Sequence, residues 1–336
     1  MQIIVIAITT LIMSTTNKIL YKMALVPMKN YPFFLAQILT FGYVIVYSSI
    51  LLYRYKNGLV TREMLKMPKK PFIAIGFLEA LGLAIGMAAA INLPGASIPI
   101  LNQVYLVWQL IFSATILKKK YSLGQIVGCL LVLIGVVIAI TSEFKVHSLE
   151  QSGLFWPMIM VCSSAFSAGA SIIKESIFLD SKKHLQGKSL DIFVVNTCGS
   201  TAQAFFVFLL LPFLSHLKGI RVHELPRYFK EGALCFFNCN AADQGFYGAP
   251  IVPLMYVIVN LAFNIFNLSL LKESSAVVSS LCTTLSLPVS IWAFTFNLPL
   301  LGTPTTLPQG LYVGTIILIL GLIIYNFLGK NNEVKQ

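Results

Sequence analysis

Of the 336 residues, 57% are hydrophobic and only 11% charged. A soluble domain of that make-up could not cover its surface with polar groups, so no soluble unit of useful size is expected. The formal net charge of +12 does not signal nucleic-acid binding, because the basic residues lie mainly in short loops between apolar runs; six cysteines, mostly inside those runs, do not make a disulfide-rich scaffold.

Apolar runs of about 20 residues are long enough to cross a bilayer, and they recur from end to end. Ten spans are predicted: Ile3–Leu25, Pro32–Tyr53, Pro71–Asn92, Ser97–Leu117, Leu123–Ser142, Gly153–Ile173, Leu190–His216, Ile251–Leu271, Ala276–Phe296 and Gln309–Leu328. The fold expected is an all-α integral membrane protein. Calling the side of the N-terminus side A, its segments carry sixteen Lys and Arg, Lys174 among them, against six on side B. The positive-inside rule places side A, with both termini, toward the cytosol-like compartment. No Ser/Arg-rich transit segment precedes the first apolar run, which leaves the organelle open.

Ten spans divide into five (residues 1–142) and five (residues 153–329, with a long side-B segment at 217–250), one transport unit overall. An odd number per repeat inverts the second copy in the membrane. In the fifth span the glycines fall at Gly124, Gly128 and Gly135; in the tenth they recur at Gly310, Gly314 and Gly321, with the same steps of four and seven. Glycine at i and i+4 lets another membrane helix approach closely. A duplicated, inverted membrane unit is a sequence sign of a secondary transporter working by alternating access.

Polar groups inside the hydrocarbon are costly and face the bundle interior or a water-filled cavity. The first span has Thr10, Ser14, Lys18 and Lys22 at four-residue steps, with Asn17 and Tyr21 beside them. Lys18 is either a cavity cation or half of an ion pair with Glu79 in the third span. Glu79 in turn neutralises Lys18, carries a coupling proton or sits near a water-exposed end. The fourth span carries Asn102, Tyr105, Gln109 and Ser113; the eighth carries Tyr256, Asn260, Asn264 and Asn267; the ninth carries Ser279, Thr283, Ser286 and Ser290. For lone Ser and Thr, helix-to-helix hydrogen bonding is the better reading; the three asparagines are read as a cavity wall. Span one is expected against spans three, four, eight and nine around a central cavity. Cys235 and Cys239, in the side-B segment, either pair in an oxidising lumen or remain thiols. No metal motif, nucleophile elbow or phosphate-binding loop appears; neither catalysis nor a cofactor is expected.

Met13-Ser-Thr-Thr-Asn17-Lys18-Ile-Leu-Tyr-Lys22, Asn30-Tyr-Pro-Phe-Phe34, Gly76-Phe-Leu-Glu79-Ala-Leu-Gly82, Pro99-Ile-Leu-Asn102-Gln103 and Ser189-Leu-Asp-Ile-Phe-Val-Val-Asn196 resemble the chloroquine-resistance-transporter-like family of plants. That family belongs to the drug/metabolite transporter superfamily, with ten spans as inverted five-helix repeats. The resemblance implies a plastid-envelope carrier of glutathione, γ-glutamylcysteine or related thiol peptides. Lys18 would attract the carboxylates, Asn17 would line the cavity, and Asn102, Gln103, Gln109, Asn260, Asn264 and Asn267 would bond the peptide groups. Glu79 would balance charge or couple protons. The expected partners are thus a small solute, the lipid bilayer and protons. Family members carry the second side-B cysteine nearer the Gly248-Ala249-Pro250 motif, whereas this chain has Cys235 and Cys239. Two alternatives are a sugar-phosphate or nucleotide-sugar carrier of the same superfamily, which needs more cations than Lys18 and Lys22, and a non-transporting membrane scaffold.

Overall fold

The computed structural model describes residues 2–91, 93, 98, 101–146, 155–185, 189–217, 221–238, 249–294, 296–301 and 309–333. Among them all regular structure is helical. In chain order the α-helices are α1 (Gln2–Ala24), α2 (Pro32–Lys56), α3 (Arg62–Leu65), α4 (Lys70–Ile91), α5 (Val104–Ile116), α6 (Leu123–Val146), α7 (Phe155–His184), α8 (Ile192–Leu217), α9 (Leu225–Phe236), α10 (Ile251–Glu273), α11 (Ala276–Ala293) and α12 (Gln309–Glu333). Six of them, α1, α2, α4, α7, α8 and α10, are long and apolar enough to cross a membrane; α5, α6, α11 and α12 contain shorter apolar stretches. Helices dominate because hydrocarbon offers no partner for backbone N–H and C=O groups, and a helix satisfies them within itself. Large apolar side chains such as Ile4, Ile8 and Ile12 on α1 and Phe205, Phe208 and Leu209 on α8 point outward, as lipid-facing residues do.

Polar residues mark the helix starts. Pro32 opens α2, where its missing N–H costs nothing. Ser122 and Gln125 cap the start of α6 reciprocally: the Ser122 N–H donates to Gln125 Oε1 at 2.8 Å, and the Gln125 N–H donates to Ser122 Oγ at 3.2 Å. Asp191 Oδ1 accepts the Phe193 N–H at 2.9 Å at the start of α8, while its other oxygen holds Arg54, from the end of α2, at 2.7 Å.

Packing follows the small residues. α6 lies along α12. A Cβ on Gly128 would stand 2.7 Å from the Gly321 carbonyl oxygen, and one on Gly135 would stand 2.5 Å from that of Gly314. As residue numbers rise along α6 their partners on α12 fall, so the two helices are antiparallel. α4 packs on α7 and α8, α5 packs on α7, α1 packs on α10 and α11, and α2 packs on α8. Span one thus meets spans eight and nine as expected, whereas spans three and four gather on α7.

The side-B segment contains a helix of its own. α9 buries Tyr228, Gly232, Cys235 and Phe236, with Gly232 close enough to Phe34 that a Cβ would fall 2.9 Å from its ring. The Cys235 thiol donates to the Pro27 carbonyl oxygen at 3.2 Å; Cys239 lies outside the described residues. Tyr31 donates its hydroxyl to Glu231 at 3.2 Å, and Arg227 holds the same carboxylate well enough to keep its pKa below the usual carboxylate range.

Candidate substrate site

α1, α2 and α10 bring three of the predicted residues together. Asn260 Nδ2 donates to Asn17 Oδ1 at 3.0 Å. Asn260 Oδ1 accepts from the Tyr43 hydroxyl and, at 2.9 Å, from Asn264 Nδ2, which also reaches the Tyr43 oxygen at 3.1 Å. The result is a closed ring of neutral donors and acceptors. Lys18, one residue on from Asn17, turns to α11: its Nζ donates to Ser286 Oγ at 2.6 Å and to the Thr283 carbonyl oxygen at 3.2 Å. Among the described residues no carboxylate lies within ion-pair distance of it. An ammonium has three protons to donate, so one remains for a further acceptor.

Glu79 is placed differently from one expectation. Its partner is Lys174, at 2.5 Å, and not Lys18. The reason is that α7 stays helical past Ile173 and runs antiparallel along α4, carrying Lys174 to Glu79, while α1 packs on the other side against α10 and α11. Lys174 is therefore a charge of the helix bundle and leaves the side-A loop count one smaller. Glu79 remains within Coulombic reach of the Tyr43, Tyr47 and Tyr105 hydroxyls. Next along α7, Glu175 is buried, bonded to Lys119 of the three-lysine turn and, at 3.1 Å, to the Ala276 N–H that opens α11. A carboxylate at a helix N-terminus is favoured by the helix dipole.

The remaining predicted residues separate. Asn267 faces α11, where Ser279 Oγ donates to its Oδ1 at 2.7 Å, a helix-to-helix bond outside the Asn260 ring. Asn102 is exposed in the turn before α5. Gln103 and Gln109 are buried, and Gln109 Oε1 has no partner among the described residues. The sequence reading missed Tyr43 and Lys174. Tyr43 lies three and six residues beyond two other buried polar residues of α2, Thr40 and Gln37, a helical spacing visible in the sequence. Lys174 was hidden by a span boundary drawn one residue too early.

The contacts of α1 and α7 come in matched pairs. Ser14 bonds Ser286 at 2.8 Å, and Ser171 bonds Tyr105; Asn17 bonds Asn260, and Lys174 bonds Glu79. Ser14 and Asn17 each precede Ser171 and Lys174 by 157 positions; Glu79 and Tyr105 each precede Asn260 and Ser286 by 181. The helix pairs α1–α10 and α1–α11 are thereby repeated as α7–α4 and α7–α5.

Residues 3–325 match the family model described as CRT-like, chloroquine-resistance transporter-like. The chain belongs to the CRT-like family. Among curated relatives, the protein CLT2, chloroplastic, of Arabidopsis thaliana is 56% identical over 94% of this chain and 73% of its own length. The protein CLT1, chloroplastic, of the same plant is 49% identical over 99% of the chain and 74% of its own. The chloroquine resistance transporter of Toxoplasma gondii is 28% identical over 94% of the chain but 37% of its own length. A crystal structure of a protein 14% identical superposes with a TM-score of 0.58 over 98% of this chain and 99% of the other, a likeness of fold. This CRT-like protein is a membrane transporter for small molecules, a multi-pass protein of the plastid.

Proposed function

We propose that this CRT-like protein carries glutathione, γ-glutamylcysteine or related thiol peptides across the plastid envelope by alternating access between two inverted five-helix repeats, residues 1–142 and 153–329. The observation that carries the reading is Lys18: a cation inside the bundle, bonded only to neutral oxygens, beside the amide ring of Asn17, Asn260 and Asn264. Glutathione at neutral pH has two carboxylates against one ammonium, hence about one net negative charge while its thiol stays protonated. A cation in a low-dielectric setting attracts such a solute strongly, because Coulomb energy varies inversely with the effective dielectric constant. The ring supplies the neutral donors and acceptors that peptide groups require. Glu79, neutralised by Lys174, is where a coupling proton would enter.

The matched contacts support the repeat. If α6 and α12 are equivalent with Gly128 corresponding to Gly314, then Gly135 corresponds to Gly321, and the contacts Gly128–Gly321 and Gly135–Gly314 are images of one another. Two antiparallel helices related in this way have their two-fold axis across them, hence in the membrane plane. An axis so placed gives an inverted repeat, which opens to either side when its halves exchange conformations. A sugar-phosphate asks for more cations than this interior offers, since Lys174 is committed to Glu79 and Lys22 lies over the Phe294 ring, 4.8 Å from its centroid.

Uptake of labelled glutathione into proteoliposomes containing the purified chain is the direct test. Saturable uptake that is competed by γ-glutamylcysteine and not by a hexose phosphate is the expected result. Competition by the phosphate alone would replace the thiol-peptide reading with the sugar-phosphate one, and uptake of none of them would end the carrier reading.

A further inference from the structure

α2 carries a buried polar file, Gln37, Thr40, Tyr43 and Tyr47, on one face. Tyr43 belongs to the Asn260 ring, and Tyr47 meets Phe193 of α8 with ring centroids 6.4 Å apart. Toward side B, Phe33 and Val207 of the same two helices border one small apolar cavity. The antiparallel register set by these contacts puts the middle of α2, around Thr40, opposite Ser200 of α8. Gln37 is only 4% exposed, and neither its Oε1 nor its Nε2 has a hydrogen-bond partner among the described residues. Asn196 of α8 also has an unpartnered Nδ2, but by the same register it lies opposite Val44, about two turns away from Gln37.

A carboxamide with both ends unsatisfied is among the least favourable groups to keep in a membrane bundle, since each unmet donor or acceptor carries its own desolvation cost. Replacing it by an apolar side chain of the same shape should stabilise the fold. Residues that weaken a fold in this way are characteristic of functional sites. The position agrees: on the repeat reading α2 and α8 are equivalent helices facing each other across the two-fold axis, where a group keeps its place whichever side is open. Six residues separate Gln37 from Tyr43, about 9 Å along a helix, within the roughly 10 Å that three extended residues span.

We propose that Gln37 forms a second recognition subsite that pairs with a peptide or carboxamide group of the solute, one step along from the Lys18–Asn260 end. This rests on the thiol-peptide reading and adds to it a cause of selectivity: glutathione, with two peptide bonds, fills both ends, whereas γ-glutamylcysteine, with one, fills only the first.

The test compares Gln37→Met with the unaltered chain in the same proteoliposomes, measuring KM for both peptides and the Tm of each purified protein. The expected result is a KM for glutathione raised about tenfold, a KM for γ-glutamylcysteine changed less than twofold, and a Tm equal to or above the original. An unchanged glutathione KM overturns the subsite, as does an equal loss for both peptides, and as does a lowered Tm, which would mean that the amide serves the fold. Gln37→Asn keeps the amide but draws it back, and a glutathione KM between the other two is expected; it stands in if the Met variant does not fold. Failure of the unaltered chain to take up either peptide is a different result, which removes the thiol-peptide reading and the subsite together.

Discussion

Two helix sets, α1 with α10 and α11 and α7 with α4 and α5, make corresponding contacts with different chemistry. Where α1 meets α10 the pair is two neutral amides, Asn17 and Asn260; where α7 meets α4 it is an ion pair, Lys174 and Glu79. Both members of the ion pair are largely shielded, their side chains 15% and 23% exposed. Such a pair adds little over an apolar contact, but breaking one partner strands a charge. An amide pair lost in a membrane is worth about 0.6 kcal/mol. The α4–α7 set therefore has its charge neutralised internally and is tied together, while the α1–α10–α11 set leaves the Lys18 charge available. On the proposed function, the first set serves structure and the second solute recognition.

The largest expected effect breaks the ionic side. Glu79→Gln should lower stability by about 3–5 kcal/mol by stranding Lys174, read as a lower Tm in detergent, and Glu79→Gln with Lys174→Gln should recover most of it. No recovery in the double variant would show that Glu79 does something other than answer Lys174. Next comes the contact shared by both halves. Gly135→Ala puts a Cβ 2.5 Å from a backbone oxygen, and overpacking of this kind costs about 1–3 kcal/mol; Gly169→Ala, whose added atom meets only side-chain carbons at 3.5 Å and beyond, is the control. Lys18→Gln should leave stability, read as Tm, within about 1 kcal/mol of the original yet reduce glutathione uptake severalfold. A Tm loss as large as that of Glu79→Gln would erase the contrast between the two sets. Asn267→Ala, which removes only the bond to Ser279, should cost about 0.6 kcal/mol and leave glutathione KM unchanged, unlike Asn264→Ala.

The smallest effect is expected outside the bundle. Arg227 lowers the pKa of Glu231. A carboxyl whose folded value lies below its unfolded one contributes stability above the unfolded value and loses it as pH falls through the folded one. Both side chains are at the surface, so Arg227→Ala should leave Tm at neutral pH unchanged within error.

The sequence revealed the apolar helices, the close glycine contact and the membership of Asn17, Asn260 and Asn264 in one polar cluster with Lys18 beside it, because all of these depend on helical periodicity and on the cost of polar groups in hydrocarbon. Partner choice was not legible. Periodicity says that Glu79 faces inward but not whether Lys18 or Lys174 meets it; that depends on which helix lies alongside. Asn267 shares a stripe with Asn260 and Asn264, yet two turns along the helix the neighbour has changed from α1 and α2 to α11. Gln37 drew no attention because it is a lone amide in its span, and only burial without a partner sets it apart.

The α6–α12 glycine contact, the same when viewed from either partner, is the kind that two identical subunits make. A carrier assembled from two separate copies of one half would be bound to place the same residue at both equivalent positions. In a single fused chain that bond is released: the position of Lys18 in the first half falls, at the spacing of 157, on Glu175 in the second. On the repeat reading, a cation and an anion thus occupy places that two identical copies would fill alike, and the fused chain gains an electrical polarity that a symmetric pair could not have.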